Sequence, residues 1–467
     1  MAIELAPRKH PRDRACAGTW MGRRRAPSIA ALAGAIILAP HLARGAEPSP
    51  DFVYVVLNEN QAVARAVILR GTQCPNAVIG DQTVKMQVRA AADSGDNPPF
   101  PIMVCEMAIP SDATSGSIAG QALPITSTPL RSIIALGDTG CRMKAKAGAA
   151  GHAEEEEEDG GKFQDCKKDW PFPQLSEAAA KLHPDLVIHV GDYLYREAHC
   201  DQPGQPCSRG PVGDNWETWK ADFFDPAGPL LRAAPWIVAR GNHEICARAG
   251  AGYARLLDPH LAEPGALPRC QDQLPPYTVA MGGHAFTVMD SSGAPDLNPT
   301  QDDVAAYTAQ FRQLHPGPGS WLITHRPIWG VITKKDKTTG IRGVTIRNAT
   351  LQQALAPWKG RLPDGIDLVV SGHIHLWEAL NFADGRSPQF VFGSGGTELS
   401  HAIKKKMLVD LPIDGTTLTD SRAYDVFGYT LLTPAAKPGQ WTAELFDRAG
   451  KRQTSCEVKP ARAKCGR

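Results

Sequence analysis

Neither sign of charge dominates this chain of 467 residues: 50 lysines and arginines stand against 49 aspartates and glutamates, a net charge of +1. That balance excludes a protein that coats nucleic acid or an anionic membrane through bulk electrostatics. Long apolar runs are missing too. The run 30–39 falls short of the roughly 20 residues a spanning helix needs, and no comparable run follows it. There is no paired Cys-x-x-Cys motif to suggest a zinc–thiolate site, and no internal repeat.

What is present begins with a targeting segment. Arg23-Arg24-Arg25 precede the apolar run, and Ala43-Arg44-Gly45 offer small residues where a signal peptidase reads. Residues 1–45 are therefore expected to be a signal peptide. The twin arginines leave Sec and Tat export both open, and Met21 would give a leader of more ordinary length. A periplasmic or secreted protein follows, with no membrane association after cleavage. Cysteine usage agrees. Of 11 cysteines Cys16 lies in the leader, and the other ten form sequence-near couples suited to an oxidising compartment. Nearest-neighbour pairing predicts Cys74–Cys105, Cys141–Cys166, Cys200–Cys207, Cys246–Cys270 and Cys456–Cys465.

With 44 glycines and 39 prolines the mature chain is rich in loops. Residues 50–123 predict a small all-β domain with strands near 53–57, 63–69, 84–88 and 102–107. It carries no cluster suggesting chemistry, so a structural or docking module is expected, joined through a linker over 124–129 to a large domain over 131–460. The large domain alternates strands with helices at 174–182, 215–231 and 301–314, and closes on strands near 429–433 and 441–446. The acidic run 154–159 and the basic loop 334–342 read as solvated loops, although the basic loop also suits an anionic polymer. His189 and His284 read as structural.

The informative stretch is Val190-Gly191-Asp192-Tyr193-Leu194-Tyr195. The apolar residues before it predict a buried strand whose end delivers a carboxylate into a loop. The device recurs. Residues 133–136 run into Gly137-Asp138-Thr139-Gly140, and 236–239 run through Arg240 into Gly241-Asn242-His243-Glu244. Residues 321–324 run into His325, and 368–370 into Ser371-Gly372-His373-Ile374-His375. One Gly-Asp after a strand is ordinary turn chemistry. Five apolar strands that each end in Asp, Asn or His supply a set of oxygen and nitrogen metal ligands, in the α/β order that places sites at strand ends.

Together these motifs resemble the calcineurin-like metallophosphoesterases, and within them the purple acid phosphatase branch. The resemblance spans the large domain and leaves out the N-terminal β region. It implies an α/β fold: a metallophosphoesterase-type β-sandwich flanked by helices, preceded here by the small all-β domain. It also implies two metal ions. Asp138, Asp192, Tyr195 and His375 would hold the first; Asp192, Asn242, His325 and His373 the second, with Asp192 bridging. Many relatives have a His ligand where Gly140 stands. Tyr195, three residues after Asp192, stands where the purple phosphatases place a phenolate, which implies Fe(III) in the first site and Fe, Zn or Mn in the second. Tyr193 is the neighbouring alternative. His243 would be catalytic, over the substrate phosphate. Arg196 or Arg326 could reach the non-bridging oxygens of a phosphate, and Arg196, Glu197 and Arg326 are equally suited to form supporting ion pairs.

The function so implied is an exported hydrolase of phosphate esters, in which a metal-bound hydroxide attacks phosphorus. A phosphorylated small molecule is the expected partner, and monoesters are favoured. The alternatives are a phosphodiesterase or nucleotidase of the same fold, or a non-catalytic binding module that keeps it.

Overall fold

Three short parallel strands lie at the centre of the molecule: Ile133–Leu136, Leu186–His189 and Trp236–Val238. Their side chains alternate between two apolar environments. Ile133, Ala135, Leu186 and Ile188 pack toward a second sheet, while Ile134, Leu136 and Val187 pack toward helices. Burial on both faces explains why these strands are continuous apolar runs in the sequence. The computed structural model describes residues 49–466 except 60, 70–72, 126–128, 145–161, 200–209, 264 and 336–341. The expected leader, the acidic run 154–159, the Cys200–Cys207 couple and the middle of the basic loop 334–342 lie outside the described residues.

The central strands belong to an eleven-stranded sheet. On one side Gly428–Pro434 pairs antiparallel with Ile133–Leu136, and Trp441–Asp447, Arg452–Lys459 and Arg462–Gly466 continue outward. The facing sheet has seven strands, with His284–Val288, Ser320–Ile323, Ile366–Ser371 and Gln389–Phe392 parallel at its middle. The core between the sheets holds Val190, Ile237, Phe286, Trp321, Ile323, Leu368, Val370 and Phe390. Helices Phe172–Ala180 and Gly250–Leu256 cover the outside of the first sheet. Gln301–Gln313 and Ala349–Ala354 cover the second. This is the expected sandwich flanked by helices.

The helix expected over 215–231 is interrupted. Trp216–Trp219 and Asp225–Leu231 are α-helical, and Lys220–Phe224 between them forms a π-helical turn. Asn215 caps the start by accepting from the Thr218 N–H at 3.1 Å. Pro226 has no N–H to offer the carbonyl four residues back, that of Asp222. The wider turn places the Asp222 side chain in the interior, fully buried.

The N-terminal all-β region precedes the catalytic domain in the chain, but it does not stand apart as a module. Phe52–Asn58 lies parallel beside Trp236–Val238, and Gln61–Ile68, Met103–Ile109 and Gln87–Ala90 extend the same sheet. The strand expected over 84–88 is broken at buried Met86 into Gln82–Lys85 and Gln87–Ala90, which belong to different sheets. The boundary near residues 124–131 is thus one of sequence and not of packing; Glu47–Arg467 form one compact unit. The physical reason is burial: Val53, Val55 and Leu57 join the core between the sheets, and Tyr54 and Val56 join the helix side.

A buried polar cluster reinforces this join. Glu106 pairs with Arg89 at 2.8 Å and with Arg65 at 3.4 Å, all three inside the protein. The guanidiniums also donate to main-chain oxygens at the end of the Gly250–Leu256 helix. Arg89 reaches Ala254 O at 2.6 Å and Arg255 O at 3.0 Å; Arg65 reaches Leu256 O at 2.8 Å. A helix C-terminus carries partial negative charge and unpaired carbonyls, so it suits two cations.

Among the described residues the expected disulfides Cys74–Cys105, Cys141–Cys166, Cys246–Cys270 and Cys456–Cys465 are all formed. Among the described residues no helix is long and apolar enough to cross a membrane.

Candidate binuclear metal centre

All seven residues expected as ligands converge beyond the carboxyl ends of the parallel strands, the usual place for sites in open α/β sheets. One donor atom each from Asp138, Asp192 and His375 lie within 4.8 Å of one another, and so do donors from Asp192, His325 and His373. Asp192 belongs to both groups. Asn242 joins the second: its Oδ1 is 2.8 Å from His325 Nε2 and 2.8 Å from His373 Nδ1. Asp138, Asp192 and His373 have φ of 57°, 58° and 69°, in the left-handed region uncommon for side-chain-bearing residues. Such strain persists where surrounding contacts enforce it, commonly at functional sites.

Two carboxylates from elsewhere brace the Asp192 and Asp138 loops, and the His373 N–H donates to Asp138. Glu244, in the Asn242–Glu244 turn, accepts from the backbone N–H groups of Gly241 (3.1 Å), Asp192 (3.1 Å), Tyr193 (2.9 Å) and Leu194 (3.1 Å). Asp222 accepts from Cys141 N–H at 3.1 Å, Tyr195 N–H at 2.8 Å and Arg196 Nε at 2.5 Å, tying the Asp138 and Asp192 loops together. Gly140 is where this matters. A Cβ there would lie 2.7 Å from Tyr195 N and 2.9 Å from Asp222 Oδ2. Position 140 therefore has no room for a histidine.

Tyr195 sits in the centre. Its hydroxyl is 2.7 Å from Asp192 Oδ2, 3.3 Å from Asp138 Oδ1 and 3.0 Å from His375 Nε2. The Tyr193 hydroxyl instead donates to Ala239 O at 2.9 Å, and its ring stacks on His189 on the helix side of the sheet. His189, pushed down to about 3 by burial and by the His325 charge despite Asp192, stays neutral and bonds Thr139 Oγ1 at 3.0 Å. His284 packs on Trp441, far along the sandwich core.

The histidines are arranged for metal. His325 Nδ1 lies 2.8 Å from Val190 O, His375 Nδ1 lies 3.1 Å from Glu398 O, and His373 Nε2 lies 2.7 Å from Asp296 Oδ2. Each outer nitrogen meets an acceptor that can hold its proton, so the inner nitrogen is the one that would meet an ion. The inner nitrogens of His325 and His373 face the Asn242 oxygen, and against burial Asp192 and then Asp138 push His325 up to about 9. The carboxylates make the same demand. Burial and then the Asp192 charge push Asp138 up to about 8. Burial works the same way on Asp192, but the charges of His325 and His243 outweigh it and hold Asp192 well below the usual carboxylate range. Burial, Asp192 and Asp138 drive the Tyr195 phenol well above its ordinary value. Only bound cations would let both carboxylates and a phenolate carry charge together. The donor set, with hard oxygens, imidazoles and no thiolate, fits Fe, Mn or Zn.

His243 lies at the edge of the centre. Its backbone N–H donates to Asp192 Oδ1 at 3.0 Å, its Nε2 is 3.9 Å from Asp192 Oδ2, and its ring centroid is 3.8 Å from that of Tyr195. Nδ1 lies 2.9 Å from Glu197 Oε1, and Glu197 also pairs with Arg248. Arg196 pairs with Asp222 and Arg326 with Asp296, so both arginines serve as supporting ion pairs. Sequence analysis did not single out Asp222, Asp296 or Arg248, and assigned Glu244 no role. Only Glu244 had a local signal, as the last residue of the Gly-Asn-His-Glu turn.

A sandwich with strand-end carboxylates and imidazoles sharing one aspartate defines a binuclear metal centre. A family model for calcineurin-like phosphoesterases matches residues 131–376, more than half of the chain. The chain belongs to that family and is a metal-dependent phosphoric ester hydrolase. The structure of the purple acid phosphatase PPD1 from yellow lupin (Lupinus luteus) seeds aligns over 88% of this chain and 74% of its own, at 13% identity and a TM-score of 0.55. The structure of PhoD aligns over 90% of this chain and 94% of its own, at 12% identity and a TM-score of 0.51. At these identities the likeness is one of fold. No curated protein sequence matches the chain.

Proposed function

We propose that the protein is an exported phosphomonoesterase of the purple acid phosphatase type, with Fe(III) held by Asp138, Asp192, Tyr195 and His375. A second ion, Fe, Zn or Mn, is held by Asp192, Asn242, His325 and His373. The observation that carries this is the Tyr195 hydroxyl within 3.0 Å of both Asp192 Oδ2 and His375 Nε2, at a site where Gly140 excludes a histidine. A phenolate with two carboxylates favours a trivalent ion, whereas the second group, with one carboxylate, suits a divalent one. When bound, the ions supply Lewis acidity at the phosphate and activate water near neutral pH.

The chain's own groups supply the rest. Asp192, shared by both groups of donors, would serve both ions. His243 faces the substrate side, and its Nε2 delivers a proton to the leaving oxygen while Glu197 holds Nδ1. Burial and Arg248 lower its basicity, and Asp192 and Glu197 oppose that. Export to the periplasm or medium is supported by the formed disulfides.

The test is optical. A phenolate on Fe(III) absorbs in the visible through ligand-to-metal charge transfer. Iron-loaded protein is expected to be coloured, Tyr195→Phe to lose or strongly shift the band, and Tyr193→Phe to keep it. A colourless iron protein, or bleaching by Tyr193→Phe, refutes the ligand assignment. Turnover of phosphate monoesters above diesters in a paired panel tests the substrate class; the reverse order refutes it.

A further inference from the structure

Two of the three histidines facing the centre are backed by peptide oxygens, Val190 O and Glu398 O. The third is backed by a carboxylate. Asp296, 4% exposed, lies between the His284–Val288 strand and the Gln301–Gln313 helix, and its Oδ2 is 2.7 Å from His373 Nε2. Asp296 is itself fixed from three sides. Asn348 Nδ2 donates to Oδ1 at 2.8 Å, and Arg347 and Arg326 reach Oδ2 at 2.8 Å and 3.1 Å. Arg326 Nη1 is also 3.1 Å from His373 Nε2. A nitrogen that donates to the carboxylate cannot also accept, so the guanidinium bonds Asp296 and not the ring.

We propose that Asp296 is a positioning residue for His373. This rests on the reading of His373 as a ligand. A carboxylate only accepts, so it holds a proton on His373 Nε2, and Nδ1, 2.8 Å from Asn242 Oδ1, is the nitrogen that would give up its proton to an ion. Arg326 and Arg347 offset the charge of Asp296, so what it supplies is a fixed acceptor that sets the ring's orientation, whereas a peptide oxygen does this for the other two histidines.

The experiment strips the full-length protein with chelator and titrates it with Zn²⁺ by calorimetry. The parent should take two ions per chain. Asp296→Asn, nearly isosteric, should weaken one of them by about 10–100-fold and leave the other unchanged. Arg347→Ala removes an ion pair from Asp296 but leaves the carboxylate on His373, and should keep both affinities. Nitrogen-15 shifts of the Zn-loaded parent should show His373 protonated at Nε2, a readout that does not depend on a variant folding. Asp296→Asn with the parent's two affinities overturns the proposal, as does an Arg347→Ala loss equal to that of Asp296→Asn, or a His373 proton on Nδ1. A parent that binds fewer than two ions overturns the binuclear ligand reading, and this proposal with it.

Discussion

Two regions of this molecule bury carboxylates with almost no access to water, and they neutralise them by different means. At the join between the N-terminal strands and the catalytic sheet, Glu106 lies between Arg65 and Arg89, and its second oxygen accepts from Ala262 N–H at 2.6 Å. The surplus positive charge is met by carbonyls at a helix end. Burial and the neighbouring Arg89 still push Arg65 down to about 10. This cluster is complete without any outside group. At the strand ends, Asp138 and Asp192 converge with no arginine or lysine bonded to either carboxylate among the described contacts, and the protein's own response is to keep Asp138 protonated. A buried charge without a partner costs several kcal/mol. The structural cluster therefore carries its full counter-charge in the sequence, whereas the metal centre sets only the imidazoles of His325 and His243 against Asp192 and leaves Asp138 to a proton.

The largest effect should come from breaking the shared carboxylate. Asp192→Ala removes a ligand from both ions and the shield between them, so metal analysis should find both lost, with turnover falling by three orders of magnitude or more, roughly the scale of losing the metal's contribution. Two ions with normal turnover would mean that the centre is wrongly drawn. His243→Ala leaves the donor set intact. It should keep both metals and lose about 10²–10⁴-fold in rate; undiminished rates would make His243 structural. The Arg-neutralised cluster should respond in the opposite way. Glu106→Ala strands two guanidiniums in the interior and should cost roughly 3–5 kcal/mol of stability, read as a lower denaturant midpoint. Its metal content and its rate per folded molecule should match the parent. If Glu106→Ala instead loses metal, the two clusters are coupled and the contrast drawn between them fails.

Much of the catalytic half was legible before the structure. Parallel strands buried on both faces leave unbroken apolar runs, and the proposed ligands sit directly at their ends, so strand and candidate site are announced together. What was hidden depends on distance along the chain. The parallel pairing of Val56 with Trp236 crosses the whole first half of the catalytic domain and leaves no local pattern, so the N-terminal strands looked like a separate module. Asp222, Asp296 and Glu244 are ordinary acidic residues until the loops they brace are known. Asp222 in particular acts through a π-helical turn that helical spacing does not reveal.

Glu378 supplies a third way of burying a carboxylate, and the smallest of the expected effects. It lies in the Trp377–Leu380 strand, fully buried, with Oε2 accepting from Val331 N–H at 3.3 Å and Oε1 without a partner. No arginine or metal group meets it among the described contacts, so burial pushes it up to about 8, and the remaining solution is a proton. The sign of the linkage follows. Below the unfolded carboxyl value of 4.5 both states are protonated and Glu378 adds no pH dependence. Between 4.5 and about 8 the folded state binds the proton and the unfolded state does not, so stability falls as pH rises. Above about 8 the folded protein bears the full cost of an ionised buried carboxylate. Glu378→Gln stays neutral throughout. Its melting temperature relative to the parent should therefore be lowest near pH 5 and climb steadily to pH 8, the gain being on the order of 1–3 kcal/mol. Comparing variant with parent at each pH cancels the titration of Asp138 and His325, which both share. A difference that does not move between pH 5 and 8 would mean that Glu378 is ionised in the fold, and that an unrecognised counter-charge makes it a relative of Glu106.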